Sequence, residues 1–82
     1  MTPEHDTVRR FITERYPQAD IAGGDDIFAL GYVNSLFAVE LVRFVEKTFG
    51  ITVPEDAMRM DNFRTIDAIV ELVRGEAAVA DR

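Results

Sequence analysis

The sequence predicts an all-α domain: a four-helix bundle of three longer helices and one short helix, with a long loop between the first two. Three observations predict it. Apolar residues recur at helical spacing in three stretches, punctuation residues stand at the ends of those stretches, and the alternating runs that strands need are nearly absent. With 82 residues and no cysteine, the chain must fold around one core without disulfides or a thiolate metal site. Hydrophobic residues make up 48 % of it, six phenylalanines included, which is enough for that core.

The first helix is read over "TPEHDTVRRFITERYP". Thr2 can cap it, Pro3 suits its first position, and Glu4 and Asp6 complement the positive end of its dipole. Val8, Phe11, Ile12 and Tyr16 form its core stripe, and Pro17 stops it. The connection "QADIAGGDDIFALGYV" is rich in breakers, yet Ile27, Phe28, Leu30 and Tyr32 are too apolar for a free linker. Ile27, Phe28 and Leu30 are expected to anchor it across the helices. The second helix runs from about Leu36 to Phe49 and ends at Gly50. "ITVPEDAMRMDNF" holds an extended piece and a brief helix opened by Pro54, Glu55 and Asp56. The last helix starts near Thr65, buries Ile66, Ile69, Val70 and Val73, and fades near Gly75. Residues 1–75 are thus one domain, and 76–82 a frayed tail. The loop from Asp20 to Val33 and the short helix near Met58 are expected to be the most mobile parts.

The net charge of −6 argues against nucleic acid, which needs clustered cations, and favours a soluble monomer with basic partners. No apolar run reaches the length of a membrane span, and the N-terminus lacks a signal-peptide pattern, so a cytoplasmic protein is expected. Metal and hydrolase chemistry find no footing. The lone His5 lies in the first turn of helix I among charged residues, where a solvated surface role is expected. Asp25-Asp26 reads as a solvated loop, and Gly23-Gly24 lacks the strand-before, helix-after setting of a phosphate loop. Met58 and Met60 are expected to fill core gaps or to line a pocket.

The second helix carries the anomaly. Stepping about 100° per residue from Leu36 places Phe37, Ala38, Leu41, Val42, Phe44, Val45 and Phe49 in one apolar arc. Glu40, Arg43, Glu46 and Lys47 occupy the opposite arc, and Leu36 and Val39 fall among those charges. Two apolar residues on a charged face, just after Ser35, form a small contact patch. Either Asn34 or Ser35 can cap this helix. Capping alone would explain the serine, and the chain would then be an unmodified helical interaction module.

The stretch "NSLFAVELVRFVEKTFGITVPEDA" resembles the prosthetic-group region of acyl and peptidyl carrier proteins. In that family an Asp-Ser-Leu motif opens helix II, a Glu-Leu pair follows, Glu-x-x-Phe ends the helix, and an Ile/Val-Pro-acidic turn leads to a short helix III. Here Ser35-Leu36, Glu40-Leu41, Glu46 with Phe49, and Val53-Pro54-Glu55-Asp56 fill those places. Leu30-Gly31 matches the turn before the motif, with one extra residue in the approach, and the likeness extends from the first helix to Val73. The resemblance implies a non-catalytic carrier with 4'-phosphopantetheine, taken from coenzyme A by a phosphopantetheinyl transferase, on Ser35. It further implies acyl- or aminoacyl-loading enzymes and downstream synthase or tailoring enzymes as partners. These would meet a face made of Asn34, Leu36, Val39, Glu40, Arg43 and Glu46.

Two departures stand out. Asn34 replaces the usual Asp, keeping the cap but removing a charge. Arg43 and Lys47 interrupt the acidic series of helix II, and Phe37 takes an often polar place, unlike carriers of fatty-acid synthesis. "GYVNSLFAVELV" is closer to discrete carriers of secondary metabolism that bear glycerate-derived or aminomalonyl-type extender units for polyketide and nonribosomal peptide assembly. D-alanyl and other aminoacyl carriers are the nearest rivals.

Overall fold

In the computed structural model, which describes residues 2–80 and side chains as far as residue 77, three α-helices surround one core. They are α1 (Pro3–Arg15), α2 (Ser35–Phe49) and α3 (Ile66–Ala80). No strand occurs among the described residues. Each helix starts where its sequence offers an acceptor for orphan N–H groups. Thr2 Oγ1 accepts the His5 N–H (3.4 Å), Asn34 Oδ1 accepts the Phe37 N–H (2.9 Å), and Thr65 Oγ1 accepts the Ala68 N–H (3.0 Å). Gly50 ends α2 with φ 65°, a left-handed conformation open to a residue without Cβ.

The predicted core stripes hold. Val8 and Ile12 of α1, Phe37, Leu41, Val42 and Val45 of α2, and Ile66, Ile69, Val70 and Val73 of α3 are all buried. Helices α1 and α3 pack closely along their backbones. Between α1 and α2 the contact is made by rings: Phe11 stacks on Phe44 at 4.1 Å and on Phe37 at 5.5 Å. Bulky aromatics at that seam hold the two helices apart while still burying apolar area. An Arg74–Glu4 pair (3.1 Å) closes the outer edge of α1 against α3. The Glu4 carboxyl is held below its ordinary 4.5, first by its own backbone N–H and then by the Arg74 side chain.

His5 is not the solvated residue expected. Its side chain is mostly covered and bridges α1 to the start of α3, with Nε2 2.8 Å from Asp67 Oδ1. The Thr2 N–H can only donate, so Nδ1 accepts it (3.4 Å), and Nε2–H is left to donate to the carboxylate. The Asp67 N–H in turn binds the Gly23 carbonyl (3.0 Å), stitching the long loop to the same corner.

That loop, residues 16–34, is pinned rather than free. The Ile27 N–H donates to the Arg64 carbonyl (2.8 Å), and the Ile27 carbonyl accepts from Tyr32 and Val33 (3.1 and 3.2 Å). Ile21, Ile27 and Val33 are buried and Phe28 is half-buried. Leu30, expected as an anchor, is instead 51 % exposed, because it rides the outside of the turn that Gly31 closes with φ 85°. Asp25 and Asp26 are not idle solvated charges either. Asp25 accepts from the Ala22 N–H, and Asp26 from the N–H groups of Phe28 and Ala29, so each folds its stretch of loop around its own side chain.

Two expectations fail in regular structure. The short helix III is not an α-helix but two 3₁₀ turns, Glu55–Ala57 and Met60–Asn62, separated by an extended Arg59 (φ −118°, ψ 144°). Pro54 removes one donor, and a segment this short gains too few bonds to offset helix nucleation. At the other end, α3 does not fade at Gly75 but continues to Ala80. An exposed glycine weakens a helix by about 1 kcal/mol without breaking it. Of the expected tail, residues 81 and 82 lie outside the described residues.

Candidate functional site

Asn34, not Ser35, caps α2, which makes Ser35 its first helical residue. This division leaves the Ser35 hydroxyl without a hydrogen-bond partner, on an exposed residue. The N–H groups of Ser35 and Leu36 have no acceptor among the described residues, since the Asn34 side chain serves Phe37 and its carbonyl serves Ala38. The first turn of α2 holds no acidic residue, so the positive end of the helix dipole is uncompensated beside the hydroxyl.

Ser35 also lines the mouth of a cleft of about 470 Å³ between α2 and the 3₁₀ segment. This size falls within the range of small-molecule sites, about 300–1,000 Å³. Its floor is apolar, with Phe28, Ala38, Val42 and Phe63, and its walls carry Val39, Met58 and Met60. The two methionines fill no gap in the core; they are 53 % and 54 % exposed and form the outer wall of this cleft. Arg43, Glu46 and Arg59 supply its charges.

The remaining residues expected in the face divide into three groups. Leu36 (71 % exposed) and Val39 (52 %) stand free beside Ser35. Glu40 pairs with Arg15 across to α1 (3.2 Å), and Arg15 lies over the Phe37 ring at 5.0 Å. Glu46 is half-buried, and its carboxylate accepts the Val53 N–H (2.9 Å), so it ties the chain after α2 back onto the helix. Sequence reasoning missed that tie and missed Arg59. Neither has a local signal: one spans seven residues around a turn, the other faces the cleft only because the 3₁₀ segment folds over α2.

An uncommitted hydroxyl on a helical tip, with unpaired N–H groups and an apolar cleft next to it, is an arrangement that can accept a covalent group. The family comparison agrees: the phosphopantetheine attachment site model matches residues 5–73, and the chain belongs to that family. Its covalent group is 4'-phosphopantetheine, and its domains act as carriers that meet phosphopantetheinyl transferases and partner enzymes. No curated protein matches the chain. The residues present fit the group: the free N–H groups and bare dipole suit a phosphodiester, and the cleft suits what lies beyond it. Among the described residues no cluster could hold a metal ion, and no helix is long and apolar enough to cross a membrane.

Proposed function

We propose that Ser35 is the attachment residue and that this protein shuttles acyl or aminoacyl units between enzymes of polyketide- or nonribosomal-peptide-type biosynthesis. The observation that carries the reading is the exposed Ser35 hydroxyl, free of any partner, inside the matched family segment and at the mouth of the cleft. In modification the hydroxyl oxygen forms the new phosphorus–oxygen bond, the nucleotide half of coenzyme A leaves, and the transferase takes the proton. No base of this chain is required, which accounts for a solitary serine. When bound, 4'-phosphopantetheine supplies a terminal thiol that holds the unit as a thioester. Asn34 fixes the helix start, Ser35 and Leu36 N–H groups receive the phosphodiester charge, and the cleft shelters the unit from water.

Leu36 and Val39, with Asn34 and Glu40 at the border, form the surface that a transferase or loading enzyme would cover. Two exposed apolar side chains in the middle of a polar face make a natural anchor for such transient contacts. The resemblance of residues 31–42 to discrete carriers favours a stand-alone role with glycerate-derived or aminomalonyl-type extender units. Intact mass spectrometry after incubation with coenzyme A and a broad-range phosphopantetheinyl transferase tests the attachment. The expected result is a gain of one prosthetic arm that Ser35→Ala abolishes while its helical spectrum stays unchanged. A bare wild-type chain, or an equal gain on the variant, refutes it.

A further inference from the structure

The geometry points to a carboxylate on the carried unit: Arg43 and Arg59, on opposite walls of the cleft beside Ser35, form a cationic clasp for a short acyl group bearing an anion. This deepens the reading above and rests on Ser35 bearing the arm.

Of the seven arginines whose side chains are described, Arg9, Arg15, Arg64 and Arg74 pair with carboxylates, and Arg10, Arg43 and Arg59 do not. Of those three, Arg43 and Arg59 line one cleft. Arg43 stands three residues after Glu40 and three before Glu46, the spacing at which helix ion pairs form. It pairs with neither. Glu40 is turned to Arg15, and Glu46 to the Val53 N–H. Arg59 likewise makes no ion pair or hydrogen bond through its side chain among the described residues. Two unpaired guanidinium groups therefore share one cleft with a single carboxylate that is already engaged.

Above an apolar floor of Phe28, Val42 and Phe63, such a pair selects for charge at the end of the unit, because a guanidinium matches a carboxylate with two parallel hydrogen bonds. An uncharged acyl group of equal length would keep the apolar contact and lose those bonds. The competing occupant is an acidic side chain of a partner enzyme. Both arginines line the same cleft as Ser35, and this shared lining favours the unit itself.

The test compares two four-carbon loads, succinyl and butyryl, transferred with the arm from their coenzyme A thioesters by a broad-range transferase. Intact mass first establishes loading; if no arm is gained, the Ser35 reading fails and takes this inference with it. On loaded protein, the Nε–H resonances of Arg43 and Arg59 are followed by NMR, and thioester hydrolysis is timed in buffer without any partner. The succinyl form should shift both resonances. Its free carboxylate can attack its own thioester and expel the thiol, closing a cyclic anhydride, so each load is compared with itself across variants. Arg43→Gln/Arg59→Gln should speed hydrolysis of the succinyl form about two- to fivefold, the range of a partly exposed ion pair, and leave the butyryl form unchanged. An unchanged succinyl rate in the double variant, or an equal change for both loads, overturns the clasp. So does a succinyl form with unmoved arginine resonances whose transfer to a partner enzyme is nonetheless slowed by the double variant; that outcome assigns the cations to the partner.

Discussion

Asn34 and Ser35 divide between them two tasks that one residue often shares. Because the Asn34 side chain takes the Phe37 N–H, the Ser35 hydroxyl is left uncommitted, and the cap and the proposed attachment can be tested apart. Asn34→Ala should cost about 1 kcal/mol, the usual loss of a cap, and lower the melting temperature by about 4–8 °C. Asn34→Asp keeps the acceptor and adds a charge at the positive end of α2, so it should stabilise by about 0.3–1 kcal/mol. That charge also returns the ion-pair partner that the family's usual Asp offers. Modification by a transferase with a basic docking face should therefore speed up, with the gain shrinking as salt rises. Unchanged kinetics across several transferases would remove Asn34 from recognition. The cap was legible to within one residue, as Asn34 or Ser35, because capping is a local rule that acts over three residues; the bond from the Phe37 N–H decides it for Asn34. The engagement of Glu46 with Val53 was not legible, since helix periodicity places Glu46 on the polar arc and says nothing of what folds back onto it.

At the level of elements, the three long helices could be read because a 3.6-residue period repeats several times in each. The loop and the segment after α2 have no period, and there the reading erred in detail. Ile27, Phe28 and Leu30 are the expected anchors, but the same apolar character belongs to Ile27, fully buried, and Leu30, half exposed. What separates them is backbone bonding: Ile27 gives its N–H to Arg64 and its carbonyl to the start of the approach to α2. Ile27 is thus the pin that orients the loop just before Ser35. Ile27→Ala should destabilise by about 2–5 kcal/mol, the range for emptying a buried aliphatic site. Leu30→Ala should stay within about 0.5 kcal/mol of the wild type. Denaturant melts of both variants check the contrast, and equal midpoints would show that the loop is not held through Ile27.

The cleft is a property of the whole molecule, because its two walls are held in different ways. One wall is α2, fastened by four buried side chains to the core. The other is the 3₁₀ segment, which is buried at Val53 and Phe63 and nowhere between them. The hydrogen bonds from residue 54 to residue 63 close on the segment itself, such as Ala57 N–H to the Pro54 carbonyl and Asn62 Nδ2 to the Ala57 carbonyl. The sequence alone gave equal reason to expect motion in the long loop. The loop's bonds, however, reach across to Arg64 and Asp67 of the next connection and helix, which ties it to the rest of the fold. Segments with few buried contacts and only local bonds open at the lowest free energy. Motion on the microsecond-to-millisecond scale should therefore concentrate at residues 54–62, with residues 26–33 as quiet as α2. A flap of that kind would let the proposed unit enter and leave the cleft without disturbing α2, so loading the cleft should damp the motion. Relaxation-dispersion NMR on unloaded and loaded protein reads both effects. Exchange spread evenly over the loop and the segment, or unaltered by the load, would mean that the outer wall is fixed and the cleft does not open this way.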